Sequence, residues 1–181
     1  VHYDLDEKLT EAYRLAEMSP DQSNQNGAII YQDDVVMSMG FNHFYNGVPE
    51  TDERPAKYER IAHAEFDACI NLAHQEKAIS ADAVMFCPWA TCKPCALAII
   101  GAQVPFLVVH LERCKAFMAT RGGQAEVNLQ DWQPDIDESS QWIKDSGCEI
   151  IVFEGPVESY VGPGININGN KWSPKTLEFV S

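Results

Sequence analysis

Residues 61–72 read IAHAEFDACINL, and the fold turns on why His63 and Glu65 stand two places apart in an otherwise small and apolar stretch. Ala64, Ala68 and Leu72 recur at helical spacing, and Phe66, Cys69, Ile70 and Ala73 widen the apolar face. The spacing predicts a helix over about 62–75 with His63 and Glu65 in its first turn. A histidine there is, by itself, an ordinary core residue. Its meaning changes because CPWATCKPC follows at 87–95, a loop entering a helix at about 93–100 with Cys92 and Cys95 in C-x-x-C spacing. The pair alone reads as metal-binding or redox-active. Brought together, the two helix starts offer one imidazole and two thiolates, a set suited to zinc with a fourth position left to water. The positive helix ends favour thiolate over thiol. Glu65, close to a ligand without being one, can then carry protons. Cys87 as a fourth ligand is the alternative, and it would make the zinc structural.

Working outward, 5–18 reads as an amphipathic helix stopped by Pro20, and 28–31 and 35–41 as two strands joined by a turn at 32–34. Residues 42–58 are polar and read as a long loop, of the kind that is often functional. A buried strand at 83–86, the helix at 93–100 capped by Gly101, and a strand at 105–111 follow. Residues 112–135 read as irregular, with Gly122 and Gly123 an exposed turn. A helix over 136–147 and a strand over 148–155 come next. The order α-β-β-α-β-α-β-α-β predicts a mixed α/β sheet with helices on both faces. We expect one domain over 1–155, with 112–135 an insertion, and an irregular tail over 156–181 that wraps the surface or a partner subunit.

With 181 residues, 45% of them hydrophobic, the chain supports a core without disulfides. Its acidic, amphipathic first residues do not read as an export signal, so its six cysteines are expected to stay unpaired, and Cys69, Cys114 and Cys148 read as inert core thiols. No apolar run approaches the roughly 20 residues of a membrane span, so a cytoplasmic protein is expected. Thirteen basic residues against 27 acidic give a net charge of −14, which argues against an extended nucleic-acid surface. A small basic pocket for one mononucleotide phosphate is compatible with that charge. Arg54, Lys57 and Arg60 are the basic cluster near the site. Arg54 or Lys57 is either solvated loop charge or a neutraliser of a 5′-phosphate. Tyr58 is either packing or a phosphate hydrogen bond. His43, His74 and His110 read as ordinary surface or core residues, with His43 near the pocket.

The chain resembles the cytidine deaminase superfamily, on the deoxycytidylate (dCMP) deaminase side. The resemblance rests on GAII, GFN, ERPAKYERIAHAE and CPWATCKPCALAIIGAQV, with a weaker echo in DW…WIKDSGCEIIVFEG. The spacing of H-A-E from C-x-x-C is that of zinc nucleobase deaminases, and the K-Y before H-A-E points to the dCMP branch. It implies a three-layer α-β-α fold with a mixed central sheet of about five strands. It further implies His63, Cys92 and Cys95 as zinc ligands, Glu65 as proton shuttle, and dCMP as substrate, with another cytosine nucleotide, nucleoside or free base as the alternative. Asn42 would contact base or sugar, Ala64 would bond the pyrimidine carbonyl through its N–H, and Trp89 and Thr91 would line the pocket. Relatives are often hexameric and regulated by deoxynucleoside triphosphates, so dCTP or dTTP effectors and a homo-oligomer (hexamer or dimer) are implied too. Three positions depart from the family's pattern: Thr91 stands where proline is usual, His43 for glycine, and Asp67 for asparagine. A zinc-stabilised scaffold without catalysis is the reading from outside the enzymes.

Overall fold

The computed structural model describes residues 2–53, 56–121 and 133–180. Asp4 opens the first helix, its carboxylate accepting the N–H groups of Asp6 and Glu7 at 3.1 and 3.2 Å. In chain order follow α1 (Leu5–Ala16), β1 (Gly27–Gln32), β2 (Val35–Phe41), β3 (His43–Phe44), α2 (Ala56–Arg60), β4 (Ile61–Ala62) and α3 (Ala64–His74). Then come β5 (Val84–Phe86), α4 (Lys93–Gly101), β6 (Phe106–His110), α5 (Leu111–Arg121), α6 (Gln133–Asp145), β7 (Glu149–Phe153), β8 (Ile165–Ile167) and β9 (Asn170–Trp172).

Five strands form the central sheet in the order β2-β1-β5-β6-β7. β1 runs antiparallel to β2 and β5, whereas β5, β6 and β7 are parallel. Side chains alternate across it as a pleated sheet requires. Ile29, Tyr31, Val84, Phe86 and Val108 pack with α1 and α5 on one face. Ala28, Ile30, Met85, Cys87 and Leu107 pack with α3, α4 and α6 on the other. This is the expected three-layer mixed α/β architecture. Gly40 seats α3 on β2: a Cβ there would come within 2.3 Å of the Ala68 nitrogen and 2.6 Å of the Ala64 carbonyl.

The differences from expectation have local causes. The stretch expected as one long loop over 42–58 contains β3, which pairs with β4, and most of α2. The stretch expected to be irregular from 112 contains α5, in which buried Arg113, Ala116 and Phe117 mix charged and apolar residues on the inward side and blur the helical pattern. Gly101 lies inside α4, and Gln103 takes the left-handed conformation (φ 57°) beyond its end. The tail, expected to be irregular, folds into the β8–β9 hairpin over Asn168-Gly169, both with positive φ (48° and 79°). Val157, Tyr160, Ile165, Ile167 and Trp172 of the tail are buried in the same cluster as α1.

Candidate active site

The two helix starts read from the sequence meet. His63 is the N-cap of α3 and Cys92 the N-cap of α4, and neither spends its side chain on a capping hydrogen bond. His63 Nδ1 lies 3.2 Å from Cys92 Sγ and 3.5 Å from Cys95 Sγ, and all three atoms fall within 4.8 Å of one another. Zinc at ordinary ligand distances in tetrahedral geometry sets N···S edges of about 3.6 Å. The donor set and its spacing therefore fit zinc. Cys87 is not part of the group; its sulfur receives the Asn26 side-chain amide at 3.2 Å.

The electrostatics agree with this fit. Burial pushes His63 down, but its hydrogen bond to Cys92 and that thiolate's charge more than offset it, lifting the imidazole to about 9. Cys92 is held low by a hydrogen bond from Cys95, against burial, and by His63, while its partner Cys95 is held high. A bound dication would take the place of the protons that these groups share. Glu65 is 2% exposed, and burial pushes its carboxyl up to about 7. The charge of His63 and a hydrogen bond from Cys87 pull the other way.

A cavity of about 750 Å³, counting its open mouth, stands over this group, with His63, Ala64, Glu65 and Cys92 in its wall. Asn42, Lys57, Tyr58 and Trp89 line it as well. Asn42 spends its side chain on the protein: Oδ1 accepts the Asn26 N–H at 2.7 Å, and Nδ2 donates to Asp21 and to the Asn24 carbonyl at 3.1 and 2.6 Å. Lys57 is buried and bonded to Asp21 at 2.5 Å and Ser23 at 3.1 Å. Thr91 is buried outside the lining, its carbonyl accepting from Ser139 of α6 at 2.7 Å. Arg54 lies outside the described residues.

The sequence reading did not single out Asp21, Arg113 or Phe117, which also line the cavity. Asp21 beside Pro20 looks like a turn residue, and Arg113 and Phe117 come from the segment expected to be irregular. The departures at Asp67 and His43 belong together. Buried Asp67 accepts from Tyr45 Oη at 2.9 Å and from the Phe41 N–H at 3.3 Å, and His43 Nδ1 stands 3.8 Å away. These contacts fasten the chain after β2 to α3, and burial with the Asp67 bond raises the Tyr45 hydroxyl to about 12.

Residues 3–111 match the family model described as the cytidine and deoxycytidylate deaminase zinc-binding region. The chain belongs to that family. An uncharacterised deaminase from the luxG 3′ region of Aliivibrio fischeri is 38% identical over 65 residues, 32% of this chain. That alignment spans 44% of the relative's length. The dCMP deaminase of cyanophage S-TIM5, solved with dCMP and dUMP, shares the fold at TM-score 0.59 and 17% identity, over 82% of this chain and 95% of that one. RibD of Acinetobacter baumannii shares it at TM-score 0.52 and 22% identity, over 82% of this chain and 34% of the other. Among the described residues no helix is long and apolar enough to cross a membrane.

Proposed function

We propose that this protein hydrolytically deaminates dCMP to dUMP and ammonia in the cytoplasm. One observation carries the reading: three zinc-type ligand atoms lie within 4.8 Å of one another, and two of their residues, His63 and Cys92, share a cavity wall with the buried carboxyl of Glu65. His63, Cys92 and Cys95 would hold zinc, which when bound supplies Lewis acidity toward water. In this reading Glu65 takes up a proton from water at a carboxylate oxygen and passes it to the ring nitrogen, where it stays, and then relays that water's second proton to the leaving amine. The Ala64 N–H, at the start of α3, bonds the pyrimidine carbonyl. Trp89, whose ring sits 4.4 Å from that of Phe117, gives the base an apolar wall that excludes water.

The choice of dCMP is supported by the K-Y preceding H-A-E and by cationic side chains lining a cavity in an acidic chain. The cyanophage enzyme and RibD share this fold alike, so fold similarity does not select the substrate. The resemblance adds a homo-oligomer and dCTP or dTTP as effectors to the proposal. The test is ammonia release by the zinc-loaded protein from dCMP, CMP, deoxycytidine, cytidine and cytosine, with and without the two triphosphates. We expect dCMP to be turned over fastest. Activity on unphosphorylated compounds alone overturns the assignment. Four protein ligands in a zinc-edge absorption spectrum would return the scaffold reading.

A further inference from the structure

Arg113, in the first turn of α5, is 2% exposed and lines the cavity. Its guanidinium sits 4.7 Å over the Trp89 ring, which fixes its position. Two of its nitrogens, Nε and Nη1, are buried without a hydrogen-bond partner. A buried cation left in this state is costly, and native proteins rarely keep one without a purpose.

The cavity's other permanent cation among the described residues is already neutralised. Lys57 Nζ contacts Asp21 at 2.5 Å and stands 3.5 Å from Asp52. That leaves Arg113 as the permanent cation in the wall with no ion-pair partner among the described residues, inside a chain of net charge −14 that repels anions at long range. A ligand entering this cavity must itself bring the acceptor that Arg113 lacks. Resting on the deaminase reading above, we infer that Arg113 anchors the phosphate of the substrate and so makes the site selective for a phosphorylated cytosine derivative over its nucleoside. The charge-assisted bonds to phosphate replace the missing partners, and the low-dielectric wall strengthens them. Lys57, by contrast, acts through Asp21 to shape the loop beside the pocket.

The experiment uses the zinc-loaded full chain and compares kcat/KM for dCMP with that for deoxycytidine. In Arg113→Met the dCMP-to-deoxycytidine preference falls about 100-fold, and Arg113→Lys recovers part of it. An unchanged preference, with both substrates losing equally, overturns the inference. Inorganic phosphate gives a second readout: it raises the melting temperature of the wild type and not of Arg113→Met, and equal shifts in both overturn the inference. If Arg113→Met does not fold, Arg113→Lys decides: a preference reduced about 10-fold supports the anchor, and an unaltered one overturns it. Should the wild type release no ammonia from any cytosine compound, the deaminase reading fails, and the phosphate-dependent melting shift still judges Arg113 by itself.

Discussion

Replacing Lys57 by Met separates a structural lysine from a ligand-binding one. Lys57 is 2% exposed, and its ammonium meets Asp21, whose side chain is 6% exposed. Removing one partner of a buried ion pair costs about 3–5 kcal/mol, because the other charge is left in a poor dielectric. Asp21 keeps three neutral donors: the Ser23 N–H at 2.7 Å, the Asn24 N–H at 3.2 Å and Asn42 Nδ2 at 3.1 Å. These hold the loss near the lower bound, about 3 kcal/mol, or a melting temperature lower by about 6–12 °C for a chain of this size. The Asp21→Asn/Lys57→Met double variant recovers part of it, since the stranded charge is gone. The assay is urea denaturation of the zinc-loaded protein beside steady-state kinetics. A Lys57→Met protein within about 0.5 kcal/mol of wild type but with a KM for dCMP raised 10-fold or more would refute the reasoning and make Lys57 a phosphate ligand.

Glu65→Gln keeps the volume and removes the proton carrier. Turnover should fall about 10²–10⁴-fold while zinc content, read by metal analysis, stays at the wild-type value. Asp67→Ala leaves Tyr45 Oη and the Phe41 N–H without their acceptor and should cost about 1–3 kcal/mol in denaturation, since the loop after β2 loses its tie to α3. His110 is fully buried, bonded to Tyr13 at 2.6 Å and the Gly155 carbonyl at 2.8 Å, with Glu112 3.5 Å away and the charge of Arg113, three residues on, also acting on it. Burial holds its pKa below the ordinary 6.5. Its contribution to stability is therefore complete above pH 6.5. As pH falls further the unfolded chain gains a proton that the folded one refuses, and stability drops by up to about 1.4 kcal/mol per pH unit until the folded histidine itself protonates. His110→Gln should flatten that slope between pH 6.5 and 5.5 relative to wild type, and parallel slopes would show that His110 does not set it.

The parts of this molecule that were legible in its sequence are those governed by near neighbours. The α3 and α4 starts follow from local periodicity, and H-A-E and C-x-x-C put particular side chains on the first turn of each. The β1–β2 hairpin follows from two apolar runs about Asp33 and Asp34, which both adopt positive φ (52° and 59°). Helix α5 was hidden because Arg113 occupies an inward position that an apolar residue would normally mark. The tail hairpin did leave its Asn168-Gly169 signal, but on strands of only three residues each. Asp67, unexplained as part of a helix pattern, acquires its purpose from Tyr45 and Phe41, which face it only once the chain has turned back.

By itself, then, the sequence determined the layered α/β plan, which follows from the order of locally patterned elements, and the two halves of the zinc-type donor set with the carboxyl beside one of them, each of which rests on spacing within one helix turn. The tertiary structure decided which charges are spoken for. Lys57 and Asp21 are 36 residues apart, and nothing in either segment announces the partner. Arg113 and the Trp89 ring meet only where α5 folds against the loop after β5. Whether a cation is neutralised depends on what packs against it once water is excluded, and that is a property of the folded chain.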